Sequence, residues 1–429
     1  MRSDGKLRTR VAIALVSTLI SAPLPSFAQE GSWLPEGVNI DIKGYVEGRA
    51  IATDKTLSWE DTGLGKTGFS GTSSGGRRAL VRMEGHAIAR IMFGFDWTGI
   101  VHATANQEQH VPVDIVEAYL QYKPAPRGAL NFSARAGVFL PPISVENTGL
   151  AWTSPYTITS SAINSWVGEE LKTIGGEAGV TYRTEDVDFS MSAALYAAND
   201  PTGTQLAWRG WAMHDREAGL FDRLALAPVR ITRPGARLFK QAPTEEPFHE
   251  IDGRVGYYVH AEADHLDYGT ITALWYDNNA DDLALKFGQW AWRTKFWSVG
   301  YKTQLPGDID FLAQVMKGGT TTVSVPGAPT PVVDTDFWAA YLLASKEFGR
   351  HRLSVRLDRF GTNDNDTSLD DNNEHGTAVT VGYVLRPAAR QRLTIEALYV
   401  KSYRPERAFL GLPVRTVETQ FQASYRFFF

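Results

Sequence analysis

The residues able to do chemistry in this chain are not gathered into one motif. The nine His are scattered, and no His-x-x-x-His pair offers a metal two imidazoles on one face. Two acidic runs, Asp277–Asp282 and Asp364–Asp366 with Asp370–Glu374, hold closely spaced oxygen ligands but lack the spacing and Gly of a Ca²⁺ loop, and solvated surface loops are expected there. What does recur is charge on one face of alternating segments. Arg78, Arg82, Arg135, Arg183, Arg293, Lys295, Arg352 and Arg356 fall on the polar side of their segments, and Lys43, Arg49, Arg254, Arg386 and Arg426 join them. The acids on the same faces are Asp41, Glu47, Glu84, Glu117, Glu177, Glu262, Asp358, Glu396 and Glu418. If those faces line a narrow, low-dielectric-walled lumen, the thirteen-to-nine excess acts on passing ions more strongly than charge on exposed loops, so a weak anion preference is expected. The opposing expectation is that these Arg and Glu pair across the wall and brace it.

The elements that must carry such a wall are strands, whose side chains alternate between two faces. In Arg78–Ala89 the residues Ala79, Val81, Met83, Ala87 and Ala89 share one face, and Arg78, Arg82, Glu84 and His86 the other. Similar alternation marks Ile40–Ile51, Met92–Thr104, Val113–Lys123, Leu130–Leu140, Lys172–Arg183 and Val187–Ala197. It returns in Gly253–Ala263, Asp267–Tyr276, Trp290–Thr303, Ile309–Lys317, Asp336–Phe348, His351–Phe360, Gly376–Arg386, Arg392–Tyr403 and Val414–Phe429. Short Gly- or Pro-marked turns such as Leu305-Pro306-Gly307-Asp308 alternate with long polar loops, the longest being Asn199–Asp252. About sixteen strands with one short and one long end predict an all-β fold, a transmembrane antiparallel β-barrel with short periplasmic turns and long extracellular loops. Trp97, Tyr122, Trp275, Tyr276, Trp290, Trp292, Tyr399 and Tyr403 are expected as interfacial girdles.

Composition agrees with that architecture. There are 39 Gly, 12 Trp, 16 Tyr and 21 Phe with only 21% charged residues, and strands that alternate apolar and polar residues never look hydrophobic on average. There is no Cys, so an exported chain needs a large core or a closed hydrogen-bonded barrel. The first residues carry the export signal. Arg2, Lys6, Arg8 and Arg10 precede an apolar run, Val11–Ile20, and Ser26-Phe27-Ala28 offers small residues for cleavage. Residues 1–28 are therefore assigned to a signal peptide and 29–429 to a single barrel domain. Removing four basic residues and Asp4 takes the net charge from −5 to −8.

The last segment places Val417, Thr419, Phe421, Ala423, Tyr425, Phe427 and Phe429 on one face against Glu418, Gln420, Gln422, Ser424 and Arg426. It resembles the C-terminal assembly signal of outer-membrane proteins, with Tyr425, Phe427 and Phe429 as its aromatic core. The resemblance implies insertion by the barrel assembly machinery.

Gly76-Arg77-Arg78-Ala79, Val116-Glu117-Ala118-Tyr119-Leu120 and the run from Gly137 through Leu140-Pro141-Pro142 to Glu146-Asn147 resemble the N-terminal half of porins of the phosphate-selective (O/P) type, over residues 40–185. That family implies a sixteen-stranded homotrimeric pore whose third loop folds inward. Here the third loop is Pro141–Leu171, a long, mostly polar segment that includes Glu146, Asn147, Trp166, Glu169 and Glu170. Folded inward it would constrict the lumen and set an exclusion size. It lacks the cluster of Lys and Arg that phosphate selection would use. The expected function is a Gram-negative outer-membrane porin for passive diffusion of small hydrophilic solutes, in contact with lipid and lipopolysaccharide. It needs no metal or cofactor, no nucleic-acid partner is implied, and it is not expected to be an enzyme. The alternatives are a channel selective for phosphate or another small anion, and a barrel enzyme in which a Ser and a His would have to meet at the rim.

Overall fold

Alternation along the chain becomes inside and outside in the computed structural model, which describes residues 37–72, 75–323 and 331–429. The signal peptide expected at residues 1–28 lies outside the described residues. The first seven barrel strands are β1 Val38–Thr53, β2 Arg78–Phe93, β3 Trp97–Asn106, β4 Val113–Tyr122, β5 Leu130–Phe139, β6 Thr173–Arg183 and β7 Val187–Ala197. Then come β8 Gly256–His265, β9 Gly269–Asp277, β10 Arg293–Leu305, β11 Ile309–Thr322 and β12 Val333–Phe348. The last four are β13 His351–Asp364, β14 Glu374–Leu385, β15 Gln391–Tyr403 and β16 Arg415–Phe428. Each pairs antiparallel with the next, and β16 returns to β1 with Tyr45 opposite Phe428 and Thr53 opposite Gln420. Closure satisfies every edge, which is what a sheet needs if no water surrounds it.

The surface is inverted relative to a water-soluble barrel. Phe421 is 59% exposed and Leu195 64%, whereas Thr335, Ser354 and Thr380 are fully buried. Apolar residues thus point away from the barrel and polar ones into it, the arrangement of a membrane-spanning barrel. Strands of 9 to 16 residues are long enough to cross.

Connections alternate in length. Tight turns at residues 94–96, 306–308 and 349–350 mark one end, where Gly94, Gly307 and Gly349 take positive φ that costs Gly little. The other end carries the long segments 54–77, 140–172 and 198–255. The sequence puts the second turn before Met92, but β2 runs on to Phe93 and Gly94 makes the turn. Between β3 and β4 the register shifts at His102/Ala103, so Val116 and Glu117 both turn inward. Trp97, Tyr122, Trp275, Tyr399 and Tyr403 take the outer positions expected of a girdle. Tyr276 and Trp292 do not: they are 2% and 1% exposed, Tyr276 inside the barrel and Trp292 with Trp290 in an apolar cluster of the long loops.

Candidate functional site

The segment after β5 turns into the barrel and is held there by strand side chains. Gln314 of β11 donates to the Ile143 carbonyl at 2.8 Å. Glu146 pairs with Arg356 of β13, which also donates to the carbonyls of Thr159 at 2.8 Å and Ser160 at 2.9 Å. Glu396 of β15 accepts the Ile158 N–H at 2.6 Å and the Thr159 hydroxyl at 2.6 Å. A short helix follows, α1 Ala162–Glu170, whose N-cap Ser161 accepts the Asn164 N–H. Its Trp166 lies 5.3 Å from both Phe296 and Phe337 and 6.0 Å from Trp211, ring centre to ring centre. The helix therefore buries its aromatic side against an apolar patch on the inner wall of β10 and β12.

Two further segments enter beside it. Residues 198–255 include a second helix, α2 Thr204–Arg209, and Arg209 pairs with Glu169 while lying 4.1 Å over the Trp59 ring. Burial works to raise the Glu169 carboxyl, but Arg209 and His214 beside it hold it below the usual range. Trp211 donates to the Gly361 carbonyl at 3.1 Å, and Asp215 takes both terminal nitrogens of Arg49 of β1, at 2.6 and 2.9 Å. Residues 54–77 contribute Lys66, whose ammonium reaches Glu374 of β14 at 2.7 Å and the Arg209 carbonyl at 2.6 Å. Arg404 joins Glu374 at 3.2 Å and the carbonyls of Ala207 and Trp208. Burial brings the Lys66 ammonium down to about 7 even with Glu374 opposite. Three long connections thus fill the lumen toward their own end among the described residues, where one was expected.

The basic residues read from alternation divide into two groups. Arg82, Arg135, Arg352 and Arg356 face inward, and each meets an acid: Glu108 at 3.2 Å, Glu177 at 2.8 Å, Asp310 at 2.7 Å, and Glu146 with Asp358. Arg183 pairs with Asp188 at 3.2 Å near the short-turn end. Arg78 shares the inward register of Arg82 and stays exposed. Arg293 and Lys295 do not line the lumen. On β10 they alternate with Thr294, Phe296 and Ser298, which are buried inside, and so point outward with Trp297. Polarity misassigns them because Phe296 takes an inner position on β10, against Trp166 of α1. Arg254 falls before β8 and pairs with Asp281 in an exposed loop.

The constriction residues are all inside the barrel, but buried rather than water-lining. Trp166 is 2% exposed, Asn147 6%, and Glu146, Glu169 and Glu170 are fully covered. Glu170 accepts from Trp166 and from the Gln205 N–H, and burial pushes its carboxyl up to about 7. Tyr425 and Phe427 occupy the outer face, and Phe429 exchanges backbone hydrogen bonds with Gly44 at 3.0 and 3.2 Å. Parts of the acidic runs are anchors rather than solvated loops, since Asp370 accepts the Arg230 and Ile231 N–H groups and Glu374 holds Lys66 and Arg404.

At the level of the inward loops, water still reaches the inner wall of β2 and the loop that faces it. The Glu84 and Asp215 side chains are 18% and 20% exposed there, and both bond Arg49. A small polar cavity lies alongside, lined by residues of both large loops and by Arg426, which is itself held by Glu47. Sequence reasoning missed Asp215 and Glu217, which sit in the irregular stretch and carry no periodic signal. It also missed Arg392, which has the same parity on β15 as Glu396 and could have been found by it. Arg392 donates to the Ser154 carbonyl at 3.1 Å, and no carboxylate pairs with it among the described residues. Elsewhere Asp200, Glu250 and Asp252 bring three carboxylates together, but each accepts backbone N–H groups at 2.6 to 3.2 Å and braces a loop.

No family model matches the chain, and no curated protein matches it either. Solved structures do. The outer membrane channel DcaP of Acinetobacter baumannii superposes with a TM-score of 0.51 at 10% identity, over 94% of this chain and all of that one. OmpT, an outer membrane protein of Vibrio cholerae, gives 0.49 at 9% identity, over 92% of this chain and 99% of that one. An anion-selective porin from Comamonas acidovorans gives 0.48 at 9% identity, over 91% of this chain and all of that one. The closed ring of sixteen antiparallel strands, superposing on that channel, is the barrel fold of porins.

Proposed function

We propose that this chain is a Gram-negative outer-membrane channel that passes small hydrophilic solutes passively along a lumen narrowed by three inward loops. The observation that carries this is the inverted barrel: an apolar outer band, a polar inner wall, and long loops tied to that wall by buried ion pairs. Export would use residues 1–28, and the barrel assembly machinery would read Tyr425, Phe427 and Phe429. The long-loop end would face outward among lipopolysaccharide and the short turns the periplasm, with the protein assembled as a homotrimer. Paired wall arginines argue for a weaker anion preference than their number suggests.

The test is reconstitution into planar bilayers with a liposome-swelling assay. Small single-channel steps, and swelling that falls steeply with solute size, are the expected results. A barrel that inserts but neither conducts nor admits any solute would overturn the proposal. A second reading, a channel selective for phosphate or another small anion, is favoured by Arg392, an inward-register cation beside the inward loop that no carboxylate pairs with among the described residues. It would show as a conductance block by phosphate that Arg392→Gln removes.

A further inference from the structure

We infer that two rows of outward residues on β13 to β16 bind the phosphate of an outer-leaflet glycolipid, the lipid A part of lipopolysaccharide. The inference rests on the proposed orientation, in which the long-loop end faces outward. In the first row Arg359 of β13 stands opposite Thr377 of β14, which stands opposite Lys401 of β15. All three are exposed and alternate with buried neighbours such as Asp358, Ala378 and Val400. In the second row, one step nearer the long loops, His375 of β14 lies opposite Tyr403, and Tyr403 opposite Arg415 of β16.

Spacing and charge suit an oxyanion. Neighbouring strands lie about 4.8 Å apart, so the backbones at Arg359 and Lys401 are about 10 Å apart with Thr377 between them. Both side chains are long enough to close on one phosphate, Arg with its planar fork and Lys as a point charge. In the second row the Arg415 guanidinium lies 5.5 Å from the Tyr403 ring centre, and His375 stacks on the same ring at 4.8 Å. No carboxylate stands in either row, and Arg359, Lys401 and Arg415 pair with no acid among the described residues. The outward Asp336 of β12 is opposite Asn363, one row further toward the loops. Inside the barrel Arg82, Arg135, Arg352 and Arg356 each meet an acid and brace the wall, so the outward cations differ from them in having their charge free.

The apolar wall directly beneath narrows the ligand to a lipid. The next row toward the short turns carries Leu357, Val379 and Tyr399, and the one after it Val355, Val381 and Phe421, all 38% to 59% exposed. Cations on a lipid-facing wall are costly at the membrane centre and tolerated at its edge, where anionic headgroups attract them. A ligand that meets both surfaces lays acyl chains along the apolar rows and carries an anion just above them. That is a phosphorylated lipid rather than a soluble anion or an acidic protein segment. At the long-loop end it belongs to the outer leaflet.

The experiment measures lipid A retained by the purified full barrel in detergent, read by native mass spectrometry. The probes are lipid A with its phosphates, lipid A with them removed, and inorganic phosphate as a competitor. The phosphorylated lipid should bind the tighter of the two. Combining Arg359→Gln, Lys401→Gln and Arg415→Gln should weaken it about a hundredfold, roughly fivefold for each cation removed. Arg293→Gln, outside both rows, should change nothing. Equal affinity for the two lipids overturns the proposal, as does full affinity in the triple variant. Displacement of the lipid by inorganic phosphate would assign the site to a free anion and overturn it too. The comparison of lipids needs no variant, so a folding defect in the triple variant leaves the proposal open to refutation. Orientation is tested separately with Thr367→Cys, in a chain that otherwise has no Cys. An impermeant maleimide should label it on intact cells, and labelling only after lysis would remove the outer-leaflet lipid as the occupant. Absent conductance with lipid binding intact would count against the channel proposal alone.

Discussion

Arg356, on the inner wall, grips Glu146, on the loop that enters the barrel, and both side chains are fully buried. The same guanidinium also donates to the carbonyls of Thr159 and Ser160, so one wall residue fastens both arms of the loop. Replacing it by Ala strands Glu146 in the interior and leaves two carbonyls without their donor. Arg356→Ala should weaken loop anchoring by about 3–5 kcal/mol, the usual cost of breaking a buried pair from one side. Bilayer recordings should then show larger and noisier steps, and the loop should become protease-sensitive. Unaltered steps and protection would mean that the aromatic packing of Trp166 suffices.

A second contact between loops is sensitive to protons. Gln205 bridges Glu170 and Glu245, donating its backbone N–H to the first at 3.0 Å and its side-chain amide to the second at 2.8 Å. Glu169 and Arg209 adjoin them, but Arg209 is taken by Glu169. Burial raises both carboxyls, Glu170 to about 7. A carboxyl whose pKa rises on burial favours the closed arrangement fully below its ordinary value, and the advantage is lost as pH climbs through the raised one. Loop closure should therefore loosen as pH climbs from about 4.5 through the raised range, with Glu170 losing its proton near pH 7. Protection of residues 199–252 in hydrogen exchange should fall over that window, and Glu170→Gln should flatten the profile. A flat profile in the unaltered protein would exclude the latch.

Barrel closure depends on a close approach at the seam. Gly44 exchanges backbone hydrogen bonds with Phe429, and a Cβ added there would lie 2.2 Å from the His86 carbonyl oxygen and 2.4 Å from the Phe429 ring. Gly44→Val should strongly reduce the heat-modifiable, folded form on gels, as should deletion of Phe429. Normal folded yield in both variants would show that the seam tolerates an open end.

Shortening residues 147–168 should raise conductance severalfold and admit larger sugars, because α1 and its flanks are removed from the lumen. The gain should stay below that of an empty barrel, since residues 198–255 keep their own ties through Asp215–Arg49 and Trp211–Gly361. Unchanged conductance would place the path elsewhere in the barrel.

The outward placement of Arg293 and Lys295 is also testable. Alanine at either position should leave step size and reversal potential in a KCl gradient unchanged, whereas Arg135→Ala, which frees Glu177 inside, should shift selectivity toward cations. A shift on changing Lys295 would return it to the lumen.

Strand number and antiparallel order were legible from period-two alternation alone, because a wall with lipid on one side and a polar lumen on the other imposes that pattern on almost every strand. The faces of Arg82, Arg135, Arg352 and Arg356 followed from it. The same rule failed at β10, where Phe296 faces inward because Trp166 needs an apolar surface inside the barrel. Nor could alternation say how far the loops enter. That rests on pairs such as Arg356–Glu146 and Lys66–Glu374, whose members lie 210 and 308 residues apart. Local sequence determines which way each strand residue points. Which distant charges meet, and so whether a wall arginine is an ion guide or a brace, is decided only when closure brings the strands and loops together.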